Sequence, residues 1–256
     1  MIETETGFIK RDFEKTGVFL NIMFLIIMLL IGCFAFTSDR FPVRLPAGSK
    51  PLAVFSFLTA AGQLYEIAAS HRYDEPVAIA IYSLLLLLCA VFFVLYGLSQ
   101  LYPIKIPSAF TVIPVVTMAY KLIVVFMRYT GMANISDNLL ETGMLISLTL
   151  FFLWLGKIFN GMLSNFNIRI LFASGLLAVL FCFLGTLPRF FLIFAGMGNV
   201  LHIQTLPNPA DVALGLFIVA FLLEYFSLKN LEPELPENNN PFPFPDINND
   251  FYLGDE

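Results

Sequence analysis

A chain of 256 residues that is 58% hydrophobic and only 13% charged cannot coat a water-soluble fold, in which about a quarter of residues are charged. Its mean hydropathy of +0.82 makes lipid the expected solvent, so the length is best counted in spans of about 20 residues. The formal charge of −5 says little about partners, because seven of the nineteen acids follow Lys229; no basic run points to nucleic acid.

Residues 1–16 (MIETETGFIKRDFEKT) carry charges of both signs, and the apolar run after them is too long for a signal-peptide core. No small-residue cleavage site precedes "TSDRFP", so an uncleaved first span over 17–37 is expected. Further apolar runs follow at 52–70, 76–98, 109–128, 139–161, 168–188 and 209–228. Each is long enough for about 30 Å of hydrocarbon. A backbone in lipid must satisfy its own hydrogen bonds, and these runs lack the alternation of barrel strands. The expected fold class is therefore all-α: a polytopic membrane bundle of seven transmembrane helices over residues 17–230.

Turn and cap chemistry separates the runs. Pro76 suits the first turn of the third helix. Asn138 and Glu141 have the spacing of a capping box for the fifth, and Asn208, Pro209 and Asp211 supply cap, first-turn proline and dipole-matched acid for the seventh. After Pro188, the stretch 189–203 (RFFLIFAGMGNVLHI) is too short to cross and too apolar for a free loop; an interfacial helix or a re-entrant segment is expected. Residues 231–256, rich in proline, asparagine and acids, have the composition of a disordered tail.

Few charged groups lie inside the spans. Lys121, in "MAYKLIVVFMRY", has no acid near it in the chain, and a mid-bilayer charge costs roughly 2.5–3.5 kcal/mol unless it faces protein. Pro114, Lys121 and Arg128 recur every seven residues, with Thr117 one turn before the lysine, and the proline invites a kink. On the second run Ser56, Thr59, Gln63, Glu66 and Ser70 follow steps of three and four, one helical face. That stripe explains the run's weak hydropathy and asks for a protein or water neighbour. Glu66 lies about 21 Å and Lys121 about 18 Å along their parallel helices, so the two can pair; a snorkelling Lys121 is the rival reading. The same reckoning allows a Lys157–Glu224 structural ion pair near the opposite end.

Arg72, Arg128 and Arg189 gather at one end of the bundle and offer forked donors to lipid headgroups or an anion. Excluding Lys121, cations divide six against seven between the two sides, so the positive-inside rule selects no orientation. Ser174, Ala178, Cys182 and Gly185 form a small-residue face for close helix approach. The three cysteines and two histidines make no disulfide or metal framework, and there is no phosphate loop or nucleophile elbow. The chain reads as a non-enzymatic multi-pass protein without cofactor or metal, resident in a bacterial cell membrane with the lipid bilayer as its partner. Its expected function is binding or translocation of a small polar or anionic solute, with Gln63, Glu66, Thr117 and Lys121 lining the centre. Helices two to four and five to seven would run in opposite directions, each triplet with its charges on the outer two helices. This is a faint likeness to an inverted three-helix repeat, but the signs are swapped and chance explains it. The alternative is a membrane scaffold, sensor or subunit that contacts a protein partner through residues 231–256.

Overall fold

The computed structural model describes residues 14–37, 48–69, 76–102, 104, 106–128, 135–162, 164–196 and 208–231. The charged segment before residue 14, Arg72, residues 197–203 and the tail from residue 232 lie outside the described residues.

Every described element is helical: α1 (Glu14–Thr37), α2 (Lys50–Ala69), α3 (Pro76–Leu101), a 3-10 turn (Ser108–Thr111), α4 (Val112–Arg128), α5 (Ile135–Phe159), α6 (Asn165–Phe194) and α7 (Pro209–Leu231). Five segments are long and apolar enough to cross a membrane: Ile79–Leu101, Ala109–Met127, Leu139–Phe159, Phe166–Phe194 and Pro209–Ser227. The fold is thus an all-helical bundle compatible with a multi-pass membrane protein. α2 is not among the five, because its polar stripe lowers its mean hydropathy, and the described apolar part of α1 is the shorter stretch Ile22–Ala35.

Local chemistry sets the helix ends. Ser49 caps α2, its Oγ accepting from the Leu52 amide at 3.3 Å, and Ser164 caps α6 by accepting from Phe166 N. Asn208 Oδ1 accepts from Ala210 N at 3.1 Å at the start of α7. Three sequence expectations change. α5 begins at Ile135, so Asn138 lies within its first turn and does not cap it. Pro114 falls in the first turn of α4, directly after the 3-10 turn, the position at which a missing N–H is best tolerated. α6 runs through Pro188 to Phe194, so residues 189–194 of the stretch expected to be interfacial or re-entrant continue that helix, and residues 197–203 lie outside the described residues. A proline removes one ladder bond, whereas ending the helix in lipid would strand several backbone groups.

The helices close on one another in chain order. α2 packs on α3, α3 on α4, α4 on α5, α5 on α6, α6 on α7 and α7 back on α2, while α1 lies outside against α6. Aromatic rings from alternate members fill one half of the ring interior. Phe93 of α3 meets Phe152 of α5 and Phe217 of α7 edge-on, with centroids 5.9 and 5.2 Å apart. Tyr96 continues the contact to Phe159 and Phe217. α2 and α7 approach closely at Gly62, where a Cβ would stand 2.9 Å from Ala210 Cα; this brings α7 against the polar face of α2.

Candidate functional site

The inward face of α2 meets the bundle in two ways. Its hydroxyls are satisfied by backbone: Ser56 donates to the Leu52 carbonyl at 2.7 Å, and Thr59 to Phe55 at 2.8 Å and to Ala213 of α7 at 3.1 Å. Thr117 of α4 behaves likewise, donating to Ile113 at 2.8 Å and Leu85 of α3 at 3.3 Å. Thr59 and Thr117 thus tie neighbouring helices together while Ser56 bonds within its own, and none of the three has a spare donor for a ligand.

Higher on the same face the chemistry changes. Lys121 Nζ lies 2.9 Å from Glu66 Oε1 and 3.3 Å from Asp211 Oδ1. The lysine is 6% exposed and each acid 8%. Tyr82 of α3 donates its hydroxyl to the same Glu66 oxygen, and stacks on Tyr120 of α4 at a centroid distance of 6.3 Å. Asn208, the α7 cap, sits beside Glu66, and Glu141 of α5 lies within electrostatic range of Asp211. α2, α3, α4 and α7 thus converge on one ammonium and two carboxylates. Two acids against one lysine leave one formal negative charge among these groups.

Three polar atoms at this level lack hydrogen-bond partners: Gln63 Oε1, Gln63 Nε2 and Glu66 Oε2. Gln63 is 1% exposed and precedes Glu66 by one turn on the same α2 face. A buried amide and a carboxylate oxygen left unmatched are costly, about 1–3 kcal/mol each, and ask for a water or a ligand between them.

Of the residues expected to line the centre, Gln63, Glu66 and Lys121 come together, whereas Thr117 lies beneath them with its hydroxyl already committed. Asp211 and Tyr82 were not foreseen. Asp211 looked like a simple dipole-matched acid, yet it stands two residues into a helix whose entry faces the last two turns of α4, within reach of a lysine directed to that end. For Tyr82 the sequence carries no signal beyond its depth. Lys157 and Glu224 do not pair. Lys157 Nζ sits 3.8 Å over the Trp154 ring, and Glu224 accepts from Ser49 Oγ at 2.6 Å, so each has a partner closer in its own surroundings. The inverted-repeat likeness therefore does not extend to the charges. Of the three arginines expected to meet headgroups or an anion, Arg189 lies beyond Pro188 on the extended α6, while the Arg128 side chain and the whole of Arg72 lie outside the described residues. Among the described residues no group of three or more His, Cys, Asp or Glu could hold a metal ion.

In comparisons with known proteins, no family model, curated protein or solved structure matches the chain.

Proposed function

We propose that this chain is a non-enzymatic membrane bundle that binds or translocates a small polar solute at the Glu66–Lys121–Asp211 centre. One observation carries the reading: four helices converge on buried charges whose polar neighbour Gln63 has no protein partner. A purely structural ion pair needs neither the second acid nor an unmatched amide, since buried charges are stable only when fully paired and hydrogen-bonded. The aromatic cluster of Phe93, Phe152 and Phe217 packs the ring interior next to the centre, which supports a site approached from the opposite end. The surplus negative charge argues against an anionic solute and for a neutral or cationic one.

Melting temperature of the detergent-purified protein across neutral, anionic and cationic small solutes tests this. An upward shift with at least one class, lost in Glu66→Gln, is expected. No shift with any solute would remove the basis for a solute site and leave the ion pair with a structural role.

A further inference from the structure

We infer that the ligand of this centre is a small ammonium compound, held by N–H donation to Glu66 Oε2 and Gln63 Oε1. The inference rests on the solute-binding reading above and names the chemical class.

The acceptors are in place before any ligand is considered. Glu66 turns one oxygen to Lys121 and Tyr82, while its other oxygen is buried and makes no hydrogen bond, with the Asn208 side chain nearby. One turn deeper on the same face, the Gln63 amide is 1% exposed with neither end satisfied. Among the described residues this pair is the unmatched polar surface inside the ring. The other such atom, Arg169 Nε, belongs to the first turns of α6, at the opposite end of the bundle.

Charge selects the ligand's sign. Glu66 on α2 and Asp211 on α7 share Lys121 on α4, and Glu141 on α5 adds negative potential at Asp211. An added anion would enter beside two carboxylates with one ammonium between them. An added monocation balances the three.

Hydrogen bonding selects its kind. A carboxylate oxygen and an amide oxygen both accept, and a tetrahedral ammonium offers several donors that reach two acceptors at once. A quaternary ammonium has the charge without donors, and a bare alkali ion would want more oxygens than the two left unmatched here. The same centre already holds an ammonium: the Lys121 side chain has between Glu66 and Asp211 the environment that the ligand would find one step away.

The experiment compares chloride salts of methylammonium, ethanolammonium, tetramethylammonium and sodium, with sodium acetate, at equal ionic strength on the full-length protein in detergent. Methylammonium or ethanolammonium should raise the melting temperature by roughly 3 °C or more near saturation, and tetramethylammonium, sodium and acetate should not. Gln63→Leu removes the amide without touching the ion pair, puts an apolar side chain of similar size in its place, and should abolish the shift. An equal shift with tetramethylammonium or sodium would overturn N–H recognition. A shift with acetate alone would overturn the ammonium assignment while sparing a solute site. Retention of the ammonium shift in Gln63→Leu would overturn the placement, and absence of any shift would overturn both this inference and the reading beneath it.

Discussion

Replacing Lys121 and replacing Glu66 leave different charges behind, because the lysine serves two acids at once. Lys121→Met strands Glu66 and Asp211 together with no cation between them, and breaking a buried pair in this way costs about 3–5 kcal/mol. Glu66→Gln leaves Lys121 with Asp211, a balanced pair, and keeps an acceptor for Tyr82; its cost is nearer that of one hydrogen bond, about 1 kcal/mol. At roughly 2–4 °C per kcal/mol for a chain of this size, Lys121→Met should melt several degrees below Glu66→Gln. The double substitution should melt above Lys121→Met alone, since it removes one of the stranded carboxylates. Equal drops for the two single changes, or strictly additive ones, would contradict the shared-lysine arrangement. The sequence permits the Glu66–Lys121 half of this triad, because depth along two parallel helices is countable. It does not reveal the Asp211 half, since an acid in a first turn has a sufficient local reason to be there.

At the scale of helices, contact distance is set by which small residues face a neighbour, and spacing alone does not say which do. Ala178 and Cys182 of the α6 stripe are fully buried, and Gly215 of α7 approaches Cys182 so closely that a Cβ would stand 3.1 Å from that side chain. Gly185, three residues further on, continues the same face by spacing, yet a Cβ there meets nothing within 4 Å. Gly62 belongs to no such rhythm and makes the tightest approach to α7. Gly62→Ala should therefore destabilise the protein by about 1–3 kcal/mol through overpacking, outweighing the roughly 1 kcal/mol that alanine gains over glycine within a helix. Gly185→Ala should be neutral or stabilising. Melting temperatures of the two variants decide it, and the reverse ordering would mean that α2 and α7 do not approach at Gly62. Helix starts show the same division between legible and hidden. Pro76 and Pro209 mark theirs because proline suits the first turn, whereas Asn138 does not: Ser136 and Asp137 before it share its capping chemistry, so the residue types alone do not say where the helix starts. Pro188 misleads in the other direction, because its local preference is outweighed by the need of the surrounding backbone to stay hydrogen-bonded in lipid.

For the molecule as a whole, the class was readable from composition and the ring was not. Seven apolar runs predict helices, and all seven are helical, but runs of leucine and phenylalanine look alike on every side, so they do not record which helix faces which. Ring closure depends on α7 returning to α2, through Gly62–Ala210 at one level and Ser49–Glu224 at another. The interior it encloses is divided between a charged centre and an aromatic floor in which Phe217 touches both Phe93 and Tyr96. Phe217 is fully buried, and its replacement by alanine should cost about 3–5 kcal/mol while opening the interior beneath the centre. Cys89, one turn from Phe93 on α3 and itself fully buried, reports on that opening. In a Cys33→Ser, Cys182→Ser background, a small cationic methanethiosulfonate should modify Cys89 slowly with Phe217 present and several-fold faster in Phe217→Ala. Equal rates would mean that the aromatic cluster does not bar the path to the charged centre. The ring would then have to be sealed elsewhere, at the helix ends near Tyr82 and Asp211.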